Sequence, residues 1–196
     1  PPVLALPEKG GINFHDGPLP RYAGLNTPAW AIINGEMSHG VSWHMIEGGV
    51  DEGDLLAQKT VEIAADETAF SLNSKCYAAG MESFAAVLSQ LETGTLERTP
   101  QDLSQRSYFA RDQRPDNMGV LDFTAPAAEL DALVRGLDFG EYWNPLGTAK
   151  IAIGDAFYSI DGLDLVDGAS GAAGTVLEVS DKAVSVATAT TAVRLR

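Results

Sequence analysis

The chain has 196 residues, 45% of them hydrophobic and 20% charged, the composition of a globular chain rather than a disordered or collagenous one. Thirteen Lys and Arg against 27 Asp and Glu leave a formal net charge of −14, and since phosphate backbones are held mainly by Lys and Arg, nucleic-acid binding is disfavoured. A lone Cys76 excludes an intramolecular disulfide, and there is neither an apolar run of bilayer-spanning length nor a signal-like opening, so the expected location is the cytoplasm.

In chain order, Asn26 reads as an N-cap and Pro28 as a first-turn residue of a short helix over 28–34 that Gly35 ends. Residues 41–46 form a compact apolar run closed by Gly48-Gly49, a buried strand and turn, and 55–63 read as a second strand. After Asp66, a capping residue by type, Tyr77, Met81, Phe84, Leu88 and Leu91 recur at steps of 4, 3, 4 and 3, which predicts the core face of a long helix closed by Gly94. The polar, Arg-rich stretch with Pro100, Arg106, Arg111 and Arg114 reads as a linker. Thr124-Ala125-Pro126 opens a helix carrying Leu130, Leu133, Val134 and Leu137. Beyond Trp143-Asn144-Pro145, six short β-type runs lie at 150–153, 157–160, 163–166, 175–179, 183–188 and 192–195, the spacing of a small barrel or sandwich. The expected organisation is an α/β segment over 1–100, a linker over 101–117 and a small β domain with one helix over 118–196.

The densest group of reactive side chains is Asn13-Phe14-His15-Asp16-Gly17-Pro18-Leu19-Pro20-Arg21-Tyr22. Asn13 and His15 alternate along a strand end and share a side, and the Gly and Pro residues that follow turn the backbone away, which opens a mouth. The Gly-flexed acidic loop from Gly48 to Asp54 can return a carboxylate to it. An amide donor, an imidazole and a carboxylate are what an amine needs to attack a carbonyl group: one holds the developing oxyanion and the others hold or move the proton.

The full string of Asn13-Phe14-His15, Leu19-Pro20-Arg21-Tyr22, Gly24, Trp30-Ala31-Ile32, Gly35-Glu36, Gly40-Val41-Ser42 and Asp51-Glu52-Gly53-Asp54 resembles the signature of the 10-formyltetrahydrofolate-dependent formyltransferases, the family of methionyl-tRNA and glycinamide ribonucleotide formyltransferases. The resemblance implies a catalytic set of Asn13, His15 and Asp51. It also implies a folate donor, 10-formyltetrahydrofolate, whose pterin lies against the backbone of Glu47, Gly48, Gly49 and Val50. In the mechanism it implies, an acceptor amine attacks the formyl carbon, Asn13 and protonated His15 stabilise the oxyanion, and Asp51 orients His15 and relays the proton. The implied fold is the second half of a doubly wound formyltransferase domain, followed by an OB-like C-terminal barrel to which 118–196 are similar.

Gly17 and Pro18 stand where many members have Ser and Leu, and Ala23 where many have Arg, which alters the acceptor side and, with the acidic charge, disfavours methionyl-tRNA. The family's domain begins well before its Asn, so the expectation is a fragment lacking the N-terminal half, paired with other domains or another chain. His15 to Gly24 together with Phe139 to Gly147 look most like formyltransferase domains fused to nonribosomal peptide or polyketide synthetase modules, which implies an amino-acid-type amine acceptor, free or carrier-bound, in secondary metabolism. A formyl-donor hydrolase, a methionyl-tRNA formyltransferase and a non-catalytic docking domain stand beside this reading. Elsewhere the expectations are structural: His44 a satisfied strand histidine with a second imidazole of the site as its alternative, His39 a solvated turn residue, Cys76 core, Trp30, Trp43 and Trp143 packing residues, with an acceptor groove as the alternative for Trp143, and no metal site.

Overall fold

The computed structural model describes residues 2–8, 10–169 and 171–196. Their contacts divide the α/β chain into two units, one made of Pro1–Ala31, Glu36–Ala65 and Ser71–Arg111, the other of Ile32–Gly35, Asp66–Phe70 and Asp112–Arg196. Residues 101–111, read as linker from their composition, thus belong to the first unit.

The first unit is built on an antiparallel sheet in the order β1 (Ile12–His15), β3 (Ser38–Met45), β4 (Leu55–Glu62). Asn13 faces His44 and His15 faces Ser42 across the β1–β3 ladder, and the β3–β4 register slips by one residue between Trp43 and His44. Between β1 and β3 lie β2 (Ala23–Gly24) and α1 (Thr27–Ile33). The chain enters α1 through Asn26, whose carbonyl accepts from the Trp30 amide. The strand β2 pairs in parallel with β5 (Tyr108–Phe109), and the rings of Tyr22, Phe109 and Trp30 stack at centroid distances of 5.1 and 5.2 Å.

The long helix α2 (Ala69–Thr93) lies where the sequence predicts it, but only Phe84 and Leu91 of its predicted stripe reach the core. Leu72 and Cys76 are fully buried, with Ala79 and Val87 nearly so, whereas Tyr77, Met81 and Leu88 of the predicted stripe are 60%, 71% and 44% exposed. Small residues cause the difference. A Cβ on Gly80 would run into the Phe14 ring, so the helix approaches the sheet on its Cys76–Ala79–Gly80 side and leaves the bulkier residues on its flank. Periodicity alone cannot choose between two neighbouring apolar stripes. Phe84 and Leu91 do reach the core formed by Met45, Leu56 and Val87.

His39 is not a solvated turn residue. The strand β3 begins three residues earlier than predicted, and His39 on it is 3% exposed, donating from Nε2 to the Asp16 carbonyl at 2.7 Å. Burial outweighs its carboxylate neighbours and pushes this imidazole's pKa below its ordinary value.

In the second unit, α3 (Ala127–Gly136) follows Pro126 as expected. Leu130 from α3, Leu121 before it, and Leu163, Val186, Val193 and Leu195 from the strands form one buried cluster. The six β runs appear as a hairpin, β6 (Lys150–Ile153) with β7 (Ala156–Ser159), and a four-stranded antiparallel sheet. The sheet order is β8 (Leu163–Val166), β11 (Ala192–Leu195), β10 (Val184–Ala187), β9 (Val176–Val179). Asn144 braces the loop after α3, donating to the Leu137 and Gly147 carbonyls and accepting from the Leu146 amide. Leu146 is thereby buried, and Trp143, expected to pack, is turned outward at 83% exposure beside a cleft of about 600 Å3.

Candidate active site

Asn13, His15 and Asp51 come together in the first unit, with His44 as a fourth member. On β1, Asn13 and His15 share a face, and the ladder sets His44 directly opposite Asn13. The Asn13 Nδ2 lies 3.2 Å from His44 Nε2. Asp51, at the turn after β3, places Oδ2 3.7 Å from His15 Nδ1 and Oδ1 3.4 Å from His44 Nε2, and accepts from the Gly24 amide at 2.9 Å.

The backbone partners fix how each ring can act. His15 Nε2 donates to the Tyr22 carbonyl at 2.6 Å, which leaves Nδ1 as the nitrogen that faces carboxylates, Asp51 at 3.7 Å and Asp16 at 4.0 Å. Gly17 is required here, because a Cβ at that position would collide with both the Tyr22 carbonyl and His15 Nε2. His44 Nδ1 donates to the Met45 carbonyl at 2.8 Å. In neutral His44 the Nε2 lone pair therefore accepts an Asn13 amide hydrogen, and in charged His44 the Nε2–H turns to Asp51. His44 is thus satisfied, as read from sequence, and also part of the site.

Asp51 is pulled both ways. Burial raises its pKa, but the hydrogen bond from His44, the charge of His15 and the Gly24 amide together hold it below the ordinary carboxylate value. Its backbone is in the left-handed region at φ +56°, an uncommon conformation for a non-glycine residue. Glu47, Gly48, Gly49 and Val50, which precede it, are exposed, and Glu47 and Asp54 are both engaged by Arg98. Among the described residues no three His, Cys, Asp or Glu side chains are gathered to hold a metal ion, and no helix is long and apolar enough to cross a membrane.

Sequence reading missed the residues after α2. Gln101 donates from Nε2 to the carbonyls of Asp51 and Gly53 at 2.9 and 2.7 Å. Arg106 donates to the Val50 carbonyl at 3.0 Å, and Ser107 accepts the Tyr22 amide at 2.8 Å. Backbone carbonyls and amides carry no side-chain signature, so only the Arg-rich texture of the stretch was visible.

An amide, two imidazoles and a buried carboxylate gathered on an α/β scaffold are the groups that general acid–base chemistry uses. Residues 1–88, just under half of the chain, match the family model described as formyl transferase. It is 34% identical to a methionyl-tRNA formyltransferase of Agathobacter rectalis over 166 residues, covering 85% of this chain and 51% of that protein. With a second such enzyme, from Geobacter metallireducens, it shares 34% identity over 134 residues, 68% of this chain and 42% of that one. The chain thus spans about half the length of these curated relatives. The fold is similar to that of an N-formyltransferase from Helicobacter canadensis solved with folinic acid and dTDP-3-aminofucose, at a TM-score of 0.75 and 23% identity, covering 94% of this chain and 64% of that one. HypX from Aquifex aeolicus, solved with tetrahydrofolic acid, gives a TM-score of 0.71 at 21% identity, covering 94% and 31%.

Proposed function

We propose that the chain carries the acid–base centre of a cytoplasmic enzyme that transfers a formyl group from 10-formyltetrahydrofolate to an amine. The observation that carries this reading is the placement of one Asp51 carboxylate between the two imidazoles of His15 and His44, with the Asn13 amide tied to the second of them. Asn13 Nδ2 has two hydrogens. With His44 neutral, one is held by its Nε2, and the other is free for the formyl oxygen as it becomes negative. As the amine nitrogen bonds to the formyl carbon and the bond from that carbon to N10 of the folate breaks, a proton must leave the amine and reach N10. Asp51, charged at neutral pH and facing His15 Nδ1, is the group placed to take and return it. His15 supplies positive charge beside it rather than a direct hydrogen bond to the oxyanion, because its Nε2 is committed to Tyr22.

The exposed backbone of Glu47, Gly48, Gly49 and Val50 suits close approach of a flat ring, and the donor pterin is assigned there. The acceptor is taken to be an amino-acid-type amine, free or on a carrier protein in a multidomain assembly. The likeness to methionyl-tRNA formyltransferases supports an aminoacyl amine, while the net charge of −14 argues against a tRNA. The test supplies donor labelled in the formyl group to the intact protein with free amino acids, an amino-sugar nucleotide, methionyl-tRNA or no amine. Label on an amine supports the reading, whereas formate released at the same rate with and without amine makes the protein a hydrolase and refutes it.

A further inference from the structure

Asp51 sits in a strained loop, and the residues that hold it there come from a segment 50 positions later in the chain. The loop between β3 and β4 is pinned at its end by the Met45 amide, which donates to the Asp54 carbonyl at 2.9 Å. Gly53 passes so close to the Met45 carbonyl that a Cβ would not fit. The middle of the loop, residues 50 to 53, has its carbonyls held by side chains: Val50 by Arg106, Asp51 and Gly53 by Gln101. Thr99 exchanges two backbone hydrogen bonds with Leu55 at 2.8 and 2.9 Å, which fixes the start of this segment beside the loop. Ser107 and Phe109 then hold β2, the strand whose Gly24 amide binds Asp51.

Gln101 is informative because its amide is used one-sidedly. Both donated bonds go to the loop, while its Oε1 is buried with no partner among the described residues. A buried amide with an idle acceptor is unfavourable for stability, so the two donated bonds are what hold the side chain in this orientation. Reversing it would set Oε1 against two carbonyls.

We propose that Gln101 is a positioning residue for the transfer reaction: its two hydrogen bonds lock the left-handed turn at Asp51 and so aim the Asp51 carboxylate at His15 and His44. This rests on the formyl-transfer reading for its catalytic consequence but not for its geometry. Without Gln101 the carbonyl of Asp51 is released, the turn is free to relax from φ +56°, and the carboxylate leaves the two imidazoles. A shift of about 1 Å in a reacting group costs on the order of 100-fold in rate.

The experiment uses Gln101→Met, which keeps length and bulk and removes both donors, in the intact protein. Carboxyl-labelled aspartate is titrated by NMR, with the Asp51 signal identified by its loss in Asp51→Asn. The groups facing this carboxylate are His15 from the β1 end, His44 from β3 and the Gly24 amide from β2. In the wild type Asp51 titrates below the ordinary aspartate range, and in Gln101→Met it moves up towards that range. Formyl-transfer kcat falls about 10-fold to 100-fold, and in an Asp51→Asn background Gln101→Met lowers it no further, as expected for residues acting as one unit. An unchanged Asp51 titration with folded Gln101→Met protein overturns the proposal, whatever happens to melting temperature. So does additive loss in the double variant. If the wild type transfers no formyl group, the functional reading fails and the titration alone decides the positioning role. If Gln101→Met does not fold, Gln101→Glu, which also cannot donate to two carbonyls once ionised, is measured in the same way.

Discussion

Asp51→Asn is the most direct probe of the proton chemistry. The substitution keeps the side chain's size and an oxygen for the Gly24 amide, and it removes only the charge. At 3.7 Å from His15 Nδ1 the attraction between carboxylate and imidazolium is about 4.5 kcal/mol for an effective dielectric of about 20. Asp51 is 10% exposed, so solvent screening trims this to roughly 3–4 kcal/mol of support for a charged His15. The Asn amide can also present an N–H to the His44 Nε2 lone pair, which favours the neutral form of that ring. At about 1.4 kcal/mol per decade, transfer should fall by roughly 100-fold to 1,000-fold. Initial rates with labelled donor, at saturating donor and acceptor, measure this, and circular dichroism confirms the fold. A folded Asp51→Asn protein turning over within about threefold of wild type would refute the reasoning, since no proton transfer through that carboxylate could then limit the reaction.

Removal of the amide donor in Asn13→Ala should lower transfer about 100-fold or more without a large change in melting. His15→Gln should cost about 100-fold and His44→Gln about 10-fold, because His15 Nδ1 faces only carboxylates whereas His44 Nε2 is shared between Asp51 and Asn13; equal rates in the two variants would contradict that division. Asp51 has a depressed carboxyl pKa in the folded state, so its stabilising contribution is present above the unfolded value near 3.8 and is lost as pH falls through the folded one. Urea midpoints of the wild type should therefore drop more steeply below about pH 4 than those of Asp51→Asn. Leu72→Ala on the buried face of α2 should destabilise by about 2–5 kcal/mol, while Met81→Ala on its exposed flank should change stability by less than about 0.5 kcal/mol, both read by urea unfolding.

Much of the site was legible because its chemistry lies in side chains at short, fixed spacings. Asn13 and His15 share a strand face and the glycine-flexed loop after β3 offers a carboxylate, so periodicity and residue type brought the parts together, while the choice of Asp51 over Glu52 and Asp54 rested on the family resemblance. His44 was harder: flanked by Trp43 and Met45 in an apolar strand, it looked like core, and only the antiparallel register shows it opposite Asn13. The α2 stripe failed for the complementary reason, since the preference for Cys76, Ala79 and Gly80 at the sheet comes from closeness of approach rather than from hydrophobicity. In the C-terminal half, turn residues marked all six strands, while their order in the sheet depends on pairing between distant segments.

The wide sequence separation of the bonds that hold the site has a consequence for how the molecule is made. Asn13, His15 and Asp51 leave the ribosome before residues 99–109, but the hydrogen bonds that hold their surroundings join residues 50 positions apart at Gln101 and 85 apart at Ser107. Closing the longer of these loops rather than one spanning His15 to Asp51 costs only about 0.8 kcal/mol more in chain entropy, so the arrangement is thermodynamically cheap. Kinetically it imposes an order. The sheet and α2 can gather through nearer contacts, whereas the turn at Asp51 and the strand at Gly24 stay unbraced until residues 99–109 have been synthesised and docked. Nascent chains halted before Thr99 should therefore already protect β3 and β4 from hydrogen exchange while the amide of Gly24 remains open to solvent.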